Sequence, residues 1–341
     1  MNSTHPNRSC PQCEQPLPAD APYGLCPECL MLGALETMPM PDHLKPSGRL
    51  PELGEVFGGY RIGRELGRGG MGAVFEAEQL ETGRVIALKL LNHQLDSPEA
   101  RARFLREGRL AASINHPNSV YVFGTEEIGE MPAISMELVG GGTLEEIVKA
   151  RGALPIGEAV DMISQVVEGL EAAEEIGILH RDVKPGNCFQ DVDGTVKIGD
   201  FGLSISAEAR DKNLLTMDGT IFGTPAFSSP EQLRGDELNV QSDIYAVGAT
   251  LFYLLTGKAA FGGKSVAQLF ANVLESKSPS PKKKRPDIPE GLAAIVLRCL
   301  RKIPFGRFGS YLELRKALAA FKSDLPSPAN SGLRFLAGTA D

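Results

Sequence analysis

The 341-residue chain has no long apolar run, no excess of basic residues, no internal repeat and only two cysteines beyond position 29. Each absence excludes something. The longest apolar stretch, Ile244 to Leu255, is broken by Gly248 and Thr250 and falls short of the roughly 20 residues that a bilayer crossing needs. Met1 to Ser9 is polar and lacks the apolar centre of an export signal. Together these lead us to expect a soluble, cytoplasmic protein without a membrane span. A formal charge of -8 argues against a general binder of nucleic acid or anionic membrane, because such proteins carry Lys and Arg in excess. The lack of a 20–50-residue period argues against a solenoid or propeller.

The other four cysteines form Cys10-x-x-Cys13 and Cys26-x-x-Cys29, with 12 residues between the pairs. Two such turns supply four thiolates to one tetrahedral zinc site. A segment of about 30 residues with few large apolar side chains needs such a metal to fold. A pair of disulfides, a redox dithiol and a rubredoxin-like iron site are the alternatives. Cys188 and Cys299 stand alone in apolar surroundings and read as small buried hydrophobes.

Texture divides the rest. Residues 1–33 form the four-cysteine segment, and residues 34–57, rich in Met, Pro and Gly, read as a linker. Residues 58–322 form one large domain, with short alternating strands up to about Leu138 and 3.6-periodic helices from Thr143 to about Phe321. Residues 323–341, rich in Pro and Ser, read as a loose tail. Gly140-Gly141-Gly142 joins the strand-rich part to the helical part, which leaves a cleft at the junction. Lys282-Lys283-Lys284-Arg285 reads as an inter-helix loop rather than a nucleic-acid patch.

Chemistry concentrates in His180-Arg181-Asp182-Val183-Lys184-Pro185-Gly186-Asn187 and in Asp200-Phe201-Gly202. An Asp, a Lys and an Asn within six positions, followed by a second Asp, provide a base, a phosphate clamp and two metal ligands for phosphoryl transfer. Asp193-Gly194 predicts a tight hairpin between strands at 188–191 and 195–199 that delivers Asp200 beside Asn187. Upstream, Gly67-x-Gly69-x-x-Gly72 lies between expected strands at 60–66 and 73–79. A following strand, rather than a helix, removes the dinucleotide-binding reading, and glycine lets backbone N–H groups approach phosphates. In the strand Val85-Ile86-Ala87-Leu88-Lys89-Leu90, period two puts Val85, Ala87 and Lys89 on one face. A helix opened by Ser97-Pro98 carries Glu107 in a stripe with Phe104, Ala111 and Ile114, and an anion there needs a buried partner. Lys89 is the candidate.

In this order the motifs, with Ser229-Pro230-Glu231, Asp243 and Arg307, resemble those of a bacterial Hanks-type Ser/Thr protein kinase from about Gly59 to Phe321. The resemblance implies an α+β, bilobal protein kinase fold with a β-rich N-lobe and a helical C-lobe, here preceded by a small zinc-ribbon-like knot. It implies ATP and Mg2+ (or Mn2+) as cofactors beside the structural Zn2+. Lys89 would hold the α/β-phosphates and pair with Glu107, Asp182 would accept the substrate proton, and Lys184 would neutralise the γ-phosphate. Asn187 and Asp200 would bind Mg2+. Val74, Ala87 and Phe189 would enclose adenine, with Met136 as gatekeeper and Glu137 and Leu138 as hinge. Glu231 and Arg307 would form a buried ion pair, and Asp243 would anchor the catalytic loop. Thr216 is the expected activating phosphosite among Thr216, Thr220 and Thr224, and Asp218 reads as a solvated loop residue, with a partial stand-in for a second phosphate as the alternative. Expected partners are protein substrates with Ser or Thr, and a second copy for trans-autophosphorylation. A pseudokinase scaffold and a small-molecule phosphotransferase are the rival readings.

Overall fold

The computed structural model describes residues 49–69, 72–91, 98–129, 131–201 and 225–324. Cys10, Cys13, Cys26, Cys29, the Gly70-Met71 tip, Ser97, Gly202, Thr216, Asp218, Thr220 and Thr224 lie outside the described residues.

Strands β1 (Val56–Phe57), β2 (Tyr60–Gly69), β3 (Gly72–Gln79), β4 (Arg84–Leu91), β5 (Val122–Ile128) and β6 (Met131–Met136) form an antiparallel sheet in the order β1-β2-β3-β4-β6-β5. Helix α1 (Pro98–Ala112) packs on β5. The two faces of β4 bury different side chains. Ile86, Leu88 and Leu90 join Tyr60, Ile62, Phe75 and Ala133 in one cluster. Ala87 and Leu91 join Phe104, Ala111, Val120, Ile134 and Met136 in another. Alternation therefore carries Ala87 and Lys89 to the face that also holds Met136 and α1.

The stretch read as a linker ends differently from that expectation. Residues 49–57 lie on the domain: β1 pairs with β2, Pro51 is buried, and Leu50 and Phe57 pack on the sheet's core. These apolar side chains give the segment something to bury.

The helical part comprises, among the described residues, α2 (Leu144–Arg151), α3 (Ile156–Glu174), α4 (Pro230–Arg234), α5 (Val240–Thr256), α6 (Val266–Glu275), α7 (Glu290–Cys299) and α8 (Tyr311–Asp324), with the hairpin β7 (Cys188–Gln190) and β8 (Val196–Ile198). Thr143 caps α2 in a reciprocal box with Glu146, and Asn239 caps α5 in the same way with Ser242. Helix α5, which contains the longest apolar stretch, is buried nearly all round by α3, α7 and α8. It is a core helix, and no helix among the described residues is long and apolar enough to cross a membrane. Lys282 pairs with Glu290, and the Arg285 guanidinium donates to the carbonyls of Leu154 and Leu255, so part of the basic run ties helices together.

Candidate active site

The loop 180–187 connects α3 to β7 beneath the sheet, and hydrogen bonds from several elements define its shape. Asp243, on α5, is buried and accepts the backbone N–H of His180 at Oδ2 and of Arg181 at Oδ1, both at 2.8 Å. The His180 ring bridges loop and hairpin: Nδ1 accepts the Asp182 N–H at 3.2 Å, and Nε2 lies 2.8 Å from the Gly199 carbonyl. An N–H on Nε2 fits both contacts. Arg181 and Asp200 are the two non-glycine residues with positive φ among the described residues, at 66° and 62°. Such backbone is costly for an L-residue and persists only where surroundings hold it. Arg181 is held at both ends, since its carbonyl accepts Gln232 Nε2 at 2.7 Å.

The candidate side chains converge here. Lys184 Nζ donates to Asp182 Oδ2 at 2.9 Å, and Asn187 Nδ2 donates to the Asp182 carbonyl at 2.8 Å and to Oδ2 at 3.2 Å. The Gly199 N–H returns to the Asn187 carbonyl at 2.9 Å. Thr195 N–H to Asp193 Oδ1 at 2.8 Å, with Gly194 at φ 90°, closes the hairpin expected at Asp193-Gly194. Asp200 follows β8 and faces Lys89 Nζ at 2.7 Å. Burial pushes the Asp200 carboxyl up, but the charge and hydrogen bond of Lys89, then Lys184 and His180, outweigh it and hold the group below its ordinary value.

Lys89 Nζ forms an ion pair with Asp200 Oδ1. Glu107 is half-buried on α1, one residue before buried Gly108. A Cβ at Gly108 would lie 2.3 Å from the Thr125 side chain, so this face of α1 sits tightly on β5.

Val74, Ala87, Met136, Leu138 and Phe189 belong to one apolar cluster, where Val74, Leu138, Val139 and Phe189 are among the partly buried members. Glu137 is tied to the neighbouring strands: its N–H donates to the Tyr121 carbonyl at 2.8 Å, and Lys197 Nζ on β8 lies 2.7 Å from its Oε1. At the glycine loop, Gly72 has φ 150° and an added Cβ would stand 1.9 Å from the Leu90 carbonyl oxygen. Around Gly67 and Gly69 no heavy atom lies within 4 Å of an added Cβ. Gly72 is thus required by the protein's own backbone, whereas Gly67 and Gly69 border open space.

Asn187 and Asp200 fit a hard cation. The two Asn187 amide hydrogens are turned to Asp182, which leaves its carbonyl oxygen for a metal, and Asp200 brings an ionised carboxylate. Two protein oxygens completed by phosphate and water suit Mg2+. Among the described residues no group of three or more His, Cys, Asp and Glu side chains could enclose a metal. Cys188 and Cys299 are buried and free. Burial pushes both thiols up, Cys299 to about 12, which disfavours the thiolate form.

Several contributors carried no local signal: Val139 in the apolar cluster, Lys197 beside Glu137, Gln232 on Arg181, Tyr311 on Asp243, and the Asn118–Gln165 pair described below. All but Val139 act through contacts distant in sequence.

A curled antiparallel sheet over a helical lobe, with Lys89, Asp182, Asn187 and Asp200 in the intervening cleft, defines a protein kinase fold. Comparison agrees: residues 60–319 match the protein kinase domain family, and the chain belongs to that family. It is 38% identical over 292 residues to the serine/threonine-protein kinase pkn3 of Myxococcus xanthus, covering 81% of this chain and 52% of that one. It is 35% identical over 271 residues to PrkC of Bacillus subtilis (79% and 41% covered), and 36% identical over 276 residues to PknB of Mycobacterium leprae (79% and 44%). Both are also named serine/threonine-protein kinases. The chain thus spans about half or less of the length of these relatives. Among solved structures, Rad53 1-466 in complex with AMP-PNP superposes with a TM-score of 0.64 at 26% identity, over 76% of this chain and 64% of that one.

Proposed function

We propose that this chain transfers the γ-phosphoryl group of ATP to Ser and Thr hydroxyls of proteins, its own Thr216 included. The observation that carries the reading is the convergence on one cleft of Asp182, held by Lys184 and Asn187, and Asp200, held by Lys89. Phosphoryl transfer needs mainly positioning and charge stabilisation. Val74, Ala87, Phe189 and Met136 offer an apolar slot for adenine, and Glu137 and Leu138 the backbone edge beside it. Gly67, Gly69 and Gly72 leave room for phosphates, and Lys89 and Lys184 bring positive charge to them. Asn187 and Asp200 would hold Mg2+, which would offset the negative charge of the phosphates. Asp182 orients the substrate hydroxyl and takes its proton. Glu107 steadies Lys89 at the nucleotide phosphates.

Self-association for trans-autophosphorylation and activation at Thr216 belong to the same proposal, supported by Arg181 directly before Asp182. So does a structural zinc at Cys10, Cys13, Cys26 and Cys29, which rests on the paired C-x-x-C spacing. Purified chain with labelled ATP tests the central claim: Mg2+-dependent incorporation into Ser or Thr, lost in Asp182→Asn and in Lys89→Met. Wild-type protein that binds ATP yet incorporates nothing with Mg2+ or Mn2+ would make the domain a scaffold instead.

A further inference from the structure

Helix α8 begins with Tyr311, more than a hundred residues after the catalytic loop, and its side chain is fully buried. Its hydroxyl donates to Asp243 Oδ2 at 2.9 Å. Asp243 is itself 2% exposed, and among the described residues no cation forms an ion pair with it. A buried carboxylate without a counter-ion depends on hydrogen-bond donors. Asp243 has three: the backbone N–H groups of His180 and Arg181, and the Tyr311 hydroxyl. Two of the three are the peptide groups that shape the loop immediately before Asp182, one at the positive-φ residue Arg181.

The hydroxyl is what distinguishes this side chain from a packing residue. Phe at 311 would fill the same space, so the O–H adds a buried polar group that bonds the Asp243 carboxylate. Burial first, then the Asp243 charge, holds the phenol well above its ordinary range, so it is a permanent donor. The carboxylate has to present Oδ1 to one amide and Oδ2 to the next. A donor fixed on a third element removes the remaining freedom to rotate away from them.

We infer that Tyr311 is a positioning residue for phosphoryl transfer: through Asp243 it holds the His180–Arg181 backbone and thereby sets the place of Asp182. This rests on the reading of Asp182 as the proton-accepting residue. Tyr311 touches neither nucleotide nor substrate, and its effect belongs in kcat rather than in ATP binding.

The test uses the full chain with Tyr311→Phe. Steady-state kinetics with a Ser/Thr peptide should show kcat reduced about tenfold, the scale set by losing a hydrogen bond to a charged group, with KM for ATP within about twofold of wild type. AMP-PNP binding stoichiometry normalises for folded protein. Hydrogen exchange should quicken at the 180–181 amides while α3 and the sheet keep their protection. A 3-fluorotyrosine at 311, a stronger donor of nearly the same size, should retain wild-type kcat. An unchanged kcat per folded molecule with only a lower Tm for Tyr311→Phe would overturn the inference and make Tyr311 a packing residue. So would loss of kcat in the fluorotyrosine protein, which also decides the matter if Tyr311→Phe does not fold. Asp182→Asn runs in parallel: full activity there would remove the reading of Asp182, while exchange at 180–181 would still report separately on whether Tyr311 holds the loop.

Discussion

Arg307 offers the sharpest test of the packing logic. Its side chain is 0% exposed, and that of its partner Glu231 is 5% exposed. All five guanidinium hydrogens have acceptors: Nε the Arg301 carbonyl at 2.8 Å, Nη1 Glu231 Oε1 at 2.5 Å and the Gln241 carbonyl at 2.7 Å, Nη2 Glu231 Oε2 at 2.8 Å and the Lys302 carbonyl at 3.2 Å. Arg307→Met leaves a buried carboxylate and three carbonyls without that donor, a loss of about 3–5 kcal/mol. At about 2–4 °C per kcal/mol for a domain of this size, Tm falls by roughly 6–20 °C. Arg307→Lys keeps the charge but fills at most three of the five bonds, so most of the loss remains. Glu231→Gln with Arg307→Met should recover part of it, because the stranded carboxylate is gone. Thermal melts and urea unfolding of the singles and the double measure this. Burial pushes the Glu231 carboxyl up, but hydrogen bonds and charge from Arg307 hold it below its ordinary value of 4.5. Its contribution is therefore present above pH 4.5 and lost as pH falls through the lower folded value. A single-mutant cost under about 1 kcal/mol, or two singles that simply add in the double, would refute the reasoning.

Lys302 donates to the Val273 carbonyl over the Phe261 ring, and burial first, then Arg307 and Arg234, lower its ammonium to about 8. Because the unfolded chain binds more protons between pH 8 and 10.5, this group should make stability rise across that window, and Lys302→Met should remove its part of the slope in urea titrations. Gly72→Ala should lower both Tm and ATP affinity, since its Cβ would collide with the Leu90 carbonyl at φ 150°; unchanged affinity by calorimetry would count against the loop geometry. Gly248→Ala should cost about 1–3 kcal/mol by overpacking against Cys299, whose Cβ would lie 2.3 Å away, and leave KM for ATP unaltered. Cys26→Ser or chelation should release one zinc per chain by metal analysis while leaving nucleotide binding at the cleft intact.

Much of the site was legible in the chain because its chemistry is local. Asp182, Lys184 and Asn187 share one loop, a two-residue turn at Asp193-Gly194 aligns Asp200 with it, and period two alone puts Ala87 and Lys89 on one face of β4. The change from strand to helix texture that separates the lobes was equally local. What the tertiary structure decided are choices among partners. Lys89 pairs with Asp200, 111 positions away, a contact that only the folded cleft brings about. The loop at 116–120 binds the C-lobe through Asn118 Nδ2, which donates to Gln165 Oε1 at 3.1 Å and to the Val196 carbonyl at 2.8 Å, and nothing in His116-Pro117-Asn118 names those acceptors. Tyr311 carries no local sign of its partner, yet its hydroxyl meets Asp243 across 68 positions. Periodicity reports which face of an element is buried. Which atoms meet on that face depends on how the elements pack, since a buried donor must find its acceptor wherever the fold brings one within about 3 Å.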